Sequence, residues 1–148
     1  MAADAGSSPI TLAILRDMKQ RGEKIACLTC YDASFAEVLQ TAGVELFIVG
    51  DSLGMVVMGH DSTVPVSMDN MLHHAASVAR AGHRAYRVVD LPYLSYESAT
   101  QAYDNARRLV DEGGADMVKL EGGVARAHLV EHLVNPVSYT HLTLPTMQ

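Results

Sequence analysis

Basic charge is scarce in this chain: 11 Lys and Arg stand against 17 Asp and Glu, a formal net charge of −6 over 148 residues. Nucleic-acid binding rests on clustered Lys and Arg that neutralise phosphates, and no such cluster is present. Attraction to an anionic membrane fails for the same reason. Long apolar runs are also missing; none approaches the roughly 20 residues of a membrane span. The first eight residues lack the charged and hydrophobic regions of a secretory signal, so a cytoplasmic location is expected. Tryptophan is absent, and cysteine occurs only twice, at Cys27 and Cys30. That Cys-x-x-Cys has no second ligand pair for zinc and does not open a helix as a redox motif would. It reads as two small buried thiols.

What is present is a globular composition, 49% hydrophobic and 19% charged, sized for one domain with a real core. Residues 1–9 are small and polar and read as a disordered tail. A short helix follows, with Thr11 as cap and Ile14, Leu15 and Met18 on its apolar side. Then strand and helix alternate. Residues 25–29 read as a strand, followed by a helix capped by Asp32 with Phe35, Val38, Leu39 and Ala42 as its buried stripe. Residues 46–49 form a second strand, with a long loop through Pro65 and a helix capped by Ser67 carrying Met68, Met71, Leu72, Ala75 and Ala79 inward. The third unit is a strand at 86–89 and a helix opened by Ser98 and Gln101 as a capping box, its stripe Ala99, Ala102, Tyr103, Ala106, Leu109 and Val110. A strand at 117–120 leads through Gly122-Gly123 into a helical stretch over 124–133.

Four βα units imply a parallel sheet with right-handed crossovers and all strand C-termini on one edge. A doubly wound open sheet and part of a (β/α)8 barrel both fit.

That common edge carries the chemistry. Asp51, Asp90 and Glu121 each follow a strand, and strands about 4.8 Å apart could bring the three carboxylates to one cation. Met117, Lys119 and Glu121 share a face by period two, so the lysine points toward the acids. An ammonium there is costly without anionic partners. Oxygen-only ligands indicate a hard ion, Mg²⁺ first. Single acids at strand ends are also ordinary turn or cap residues. The run Gly50-Asp51-Ser52-Leu53-Gly54 equally spells the Gly-x-Ser-x-Gly of a serine hydrolase with Ser52 as nucleophile, for which a histidine base is needed. His60, His73, His74, His128, His132 and His141 are available, none in a recognisable partner motif. His128 and His132 sit at i and i+4 but lack an acidic partner and read as surface histidines. Tyr93 and Tyr96 could shape a pocket or pack a loop, and Gly122-Gly123 could cradle an anion or make a plain turn.

Residues 49–55 (Val-Gly-Asp-Ser-Leu-Gly-Met), 59–63 (Gly-His-Asp-Ser-Thr), 90–92 (Asp-Leu-Pro) and 118–123 (Val-Lys-Leu-Glu-Gly-Gly), in this order and spacing, closely resemble the ketopantoate hydroxymethyltransferase family from about Thr11 to Gly123. The resemblance implies a (β/α)8 TIM barrel, here a truncated N-terminal half with about four βα units over residues 10–135. It implies hydroxymethyl transfer from 5,10-methylenetetrahydrofolate to 3-methyl-2-oxobutanoate, giving 2-dehydropantoate for pantothenate biosynthesis. By resemblance, Asp51, Asp90 and Glu121 would hold Mg²⁺, and Asp51, Ser52, Asp90 and Lys119 would bind the keto acid. The family's general-base glutamate is expected in the missing C-terminal half, so no catalytic residue is assigned here and the fragment is expected to show little turnover. Residues 136–148 depart from the family pattern and are expected to be a non-native tail. Full-length members are expected to be homo-oligomers. Two further readings stay open: another Mg-dependent 2-oxo acid lyase barrel, and a non-catalytic fragment.

Overall fold

The computed structural model describes residues 8–134; the divergent segment 136–148, His141 and most of the N-terminal tail lie outside that range. Short polar side chains set the helix starts, as the sequence suggests. Thr11 accepts the Ile14 N–H and opens α1 (Leu12–Gln20), and Asp32 accepts the Phe35 N–H and opens α2 (Ala33–Thr41). Ser67 and Asn70 form a reciprocal capping box on α4 (Met68–Ala81), and Ser98 caps α5 (Ala99–Asp111). Each such cap satisfies a main-chain N–H that the helix itself leaves free, for about 1 kcal/mol. Gln101 differs from expectation: its side chain accepts from the Glu97 N–H, so the box at Ser98 is not reciprocal.

The four strands, β1 (Cys27–Thr29), β2 (Leu46–Val49), β3 (Tyr86–Asp90) and β4 (Met117–Lys119), lie in the order β1-β2-β3-β4 with every pair parallel. Their faces alternate. Phe47, Val49, Val89 and Val118 are buried beneath the helices with Met71, Ala75, Val78, Ala102 and Leu109. Each fully buried large side chain in this layer contributes roughly 1.5–3 kcal/mol. The opposite face, Leu46, Ile48, Tyr86, Val88 and Met117, packs with Ile10, Leu15 and Met18 from the N-terminal segment. After β4, a 3₁₀ turn (Gly123–Arg126) leads into α6 (Ala127–Val134), which packs on α5.

Four differences from the sequence reading have physical causes. The first strand is three residues long rather than five, and all three are exposed because β1 is an edge paired only to β2 among the described residues. Phe35 and Val38, expected inside, are 62% and 64% exposed. Among the described residues the main helix contact of α2 is with α4; Ala36, outside the expected stripe, is its buried residue, while Phe35 and Val38 stay exposed. The expected loop after β2 contains a short helix, α3 (Leu53–Val56). It docks tightly; Gly54 is buried where a Cβ would run into the Val66 side chain. Of the two cysteines, Cys30 is buried as expected but Cys27, on the exposed edge strand, is not.

Candidate functional site

The parallel topology delivers four chemically active side chains to one rim. Tyr31, Asp51 and Glu121 stand two residues beyond β1, β2 and β4, and Asp90 is the last residue of β3. Asp90 and Lys119 are register partners on neighbouring strands, so they share a face. Asp90 is only 6% exposed. Its Oδ2 accepts the Asp51 main-chain N–H at 3.3 Å, and its Oδ1 lies 2.9 Å from the Lys119 ammonium. The same ammonium is 3.2 Å from Glu121 Oε1. Lys119 therefore ties the buried acid of β3 to the exposed acid beyond β4. The Thr63 side chain lies beside Asp51 and favours its charged form. Gly50 allows this closeness: a Cβ there would lie 2.9 Å from Ser52 Oγ and 3.4 Å from Asp90 Oδ2.

Electrostatics follow from burial. Loss of water raises the Asp90 carboxyl above its ordinary range, and Lys119 partly offsets this. Burial also raises Asp51, helped by Glu121 and opposed by Lys119. For Lys119 burial favours the neutral form, but Asp90 and Glu121 outweigh it and the ammonium is held above its ordinary value. It is thus a fixed cation, not a nucleophile. Tyr96, buried nearby, is raised by burial while a Glu121 main-chain hydrogen bond opposes the shift. Tyr93 is exposed.

Ser52 does not meet a histidine. Its Oγ is 2.8 Å from the Tyr31 phenol oxygen, and the nearest histidine in this chain of contacts, His74, bonds the Tyr31 carbonyl instead. His73 beside it is exposed, so one of the adjacent pair faces inward, as a helix requires. His128 and His132 are exposed, with His132 edge-on to Tyr103. Gly122 and Gly123 are exposed and lead into the 3₁₀ turn.

Asp51, Ser52, Asp90, Lys119 and Glu121 are thus gathered on one rim. Among the described residues no three Asp, Glu, His or Cys side chains surround one point, because Lys119 stands between Asp90 and Glu121. The residues nevertheless suit a divalent ion by two observations. Asp90 Oδ1 is buried with the Lys119 ammonium 2.9 Å away as its charged partner and no further hydrogen bond, and three carboxylates are gathered around that one ammonium. Magnesium commonly takes one or two carboxylates and completes its shell with water and substrate oxygens. Two residues that sequence reasoning passed over, Tyr31 and Thr63, also belong to the rim. Position two beyond a strand was the signal for the first, and the 59–63 motif contained the second.

Comparison with known proteins gives the fold and the family. Solved structures of similar fold include a 2,3-dimethylmalate lyase of the PEP mutase/isocitrate lyase superfamily, with TM-score 0.69 and 13% identity over 90% of this chain and 52% of that one. A phosphonopyruvate hydrolase solved with oxalate and Mg++ gives TM-score 0.71 and 10% identity over 88% of this chain and 50% of that one. At such identities these matches show the fold alone: an α/β parallel sheet of the TIM-barrel kind, here four βα units. Curated relatives are much nearer in sequence. The 3-methyl-2-oxobutanoate hydroxymethyltransferases of Nitrosococcus oceani and Halorhodospira halophila are 53% and 51% identical over 84% and 87% of this chain. In each case the match covers 47% of the relative, so the chain spans about half their length. The family model described as ketopantoate hydroxymethyltransferase matches residues 9–140, and the chain belongs to that family.

Proposed function

We propose that the rim binds 3-methyl-2-oxobutanoate together with Mg²⁺, and that in a protein of the relatives' full length it serves hydroxymethyl transfer from 5,10-methylenetetrahydrofolate to give 2-dehydropantoate. The observation that carries the reading is the buried Asp90, paired with Lys119 and backed by Asp51, at the strand C-termini of a chain about half identical to enzymes of that name. Asp51 and Asp90 would hold the ion, with Glu121 in or beside its shell. Bound there, a divalent ion would supply Lewis acidity toward the carbonyl of a 2-oxo acid, which would make the C3 proton more acidic. Lys119, held protonated by its acidic neighbours, offsets the substrate's negative charge. Ser52, whose hydroxyl is already oriented by Tyr31, offers a hydrogen bond to a substrate oxygen. Proton abstraction from C3 needs a base at another position, which we place in the half of the barrel that the relatives have beyond these four units. The rim is accordingly expected to bind the keto acid in the presence of Mg²⁺, and the full-length enzyme to act in the cytoplasm in pantothenate biosynthesis.

A second reading, another Mg-dependent 2-oxo acid enolising or lyase barrel enzyme, would use the same rim acids; proteins of similar fold include a 2,3-dimethylmalate lyase and an oxaloacetate acetylhydrolase. Equilibrium binding in the presence of Mg²⁺ separates the two. The first reading predicts tighter binding of 3-methyl-2-oxobutanoate than of oxaloacetate; the reverse order would transfer the assignment to the lyase class.

A further inference from the structure

Ser52 is reached by a chain of contacts that the rim carboxylates do not share. Tyr31 is the residue just before the Asp32 cap, and its neighbour Cys30 is fixed by a main-chain bond to Ile48. Its phenol oxygen lies 2.8 Å from Ser52 Oγ. Its main-chain carbonyl lies 2.7 Å from Nδ1 of His74, a half-buried residue in the middle of α4. A carbonyl can only accept, so Nδ1 carries a proton and donates it. That requirement holds for the neutral ring and for the imidazolium alike. His73 lies edge-on to the His74 ring, with centroids 5.4 Å apart and planes at 88°. Residues from two successive βα units are thereby joined in one line from α4 to the rim.

We infer that His74 is a positioning residue: by holding the Tyr31 carbonyl it sets where the Tyr31 phenol reaches, and the phenol in turn orients the Ser52 hydroxyl. If the phenol donates to Ser52 Oγ, the serine proton is left to point at an anionic substrate oxygen. Hydrogen bonds aligned in series strengthen one another. The substrate's identity rests on the function proposed above; the relay itself does not.

The test reads both separately. Tyrosine carrying ¹³C at the ring carbon bonded to oxygen is incorporated into the full chain, and the Tyr31 resonance is assigned by its loss in Tyr31→Phe. Without ligand, Ser52→Ala and His74→Ala should shift this resonance in the same sense. His74→Asn, whose amide N–H falls near the Nδ1 position, should restore it. His74→Gln, close in volume to histidine but with its amide beyond that position, should not, and it serves where the alanine variant does not fold. With Mg²⁺ present, the dissociation constant for 3-methyl-2-oxobutanoate should rise about fivefold in His74→Gln and stay within about twofold in His74→Asn. An unmoved Tyr31 resonance in a folded His74 variant, or equal impairment of Asn and Gln, overturns the relay. A wild-type chain that binds no keto acid overturns the functional reading alone, and the relay then stands or falls on the resonance.

Discussion

Replacing Lys119 with methionine isolates the electrostatic core of the rim. The substitution keeps an unbranched stem as far as Cε and removes the ammonium 2.9 Å from Asp90 Oδ1. Asp90 is 6% exposed, and Oδ1 has no further hydrogen bond to fall back on. Breaking a fully buried pair costs about 3–5 kcal/mol, and an exposed pair at most about 1. The Lys119 side chain is 19% exposed and its second partner Glu121 59%, so a loss of about 2 kcal/mol at neutral pH is expected. With a urea slope of about 2 kcal/mol/M, the unfolding midpoint should fall by about 1 M. The pH dependence is the sharper signature. Burial already raises Asp90 in the folded state, and removing Lys119 raises it further. Over the interval between its unfolded and folded values the native state binds more protons than the unfolded one, so stability falls as pH rises. The deficit of Lys119→Met against wild type should therefore grow as pH rises through the folded Asp90 value, then level off. Adding Asp90→Asn should recover most of it by removing the stranded charge. Urea unfolding from below the ordinary carboxylate range up to neutral pH decides the matter: an equal deficit at both ends, or no recovery in the double variant, refutes the buried pair.

Other consequences follow from single contacts. Asp32→Ala removes the cap of α2 and should cost about 1 kcal/mol. Hydrogen bonds from Phe35 and Ser34 hold the Asp32 carboxyl below its ordinary value, so its contribution is present above the unfolded value and lost as pH falls through the folded one, as acid titration of stability would show. Gly54→Ala drives a methyl into Val66 with the Ser62 carbonyl close by, and should lower stability by about 1–3 kcal/mol in the same unfolding assay. A thiol reagent at neutral pH should label exposed Cys27 first. Cys30, buried and with its thiol pushed up to about 11 by burial, should react only on unfolding.

The alternation of four units and the caps at Thr11, Asp32, Ser67 and Ser98 could be read from the sequence because each depends on neighbours within a few positions. Asp51, Asp90 and Lys119 could be read because a parallel sheet places all strand ends on one edge and period two fixes which face a residue takes. Phe35 and Val38 show the limit. Periodicity identifies an apolar stripe but not whether an element lies opposite it, and the buried residue of α2 is Ala36, outside that stripe. Cys27 failed for a related reason, since its burial depends on how much of β1 another strand covers. The link from His74 through Tyr31 to Ser52 spans residues 43 and 21 positions apart, and no local pattern records such contacts. Glu121 was placed correctly on the rim, but the bridging of Lys119 between it and Asp90 emerges only from side-chain geometry.

The central claim is that Asp51 and Asp90 form a cation-dependent keto acid site. Calorimetric titration of the chain with 3-methyl-2-oxobutanoate, with and without Mg²⁺, tests it most directly. Binding should require Mg²⁺ and be lost in both Asp51→Asn and Asp90→Asn, with each variant still folded by circular dichroism. Binding that persists without Mg²⁺, or unchanged in both variants, would contradict the assignment.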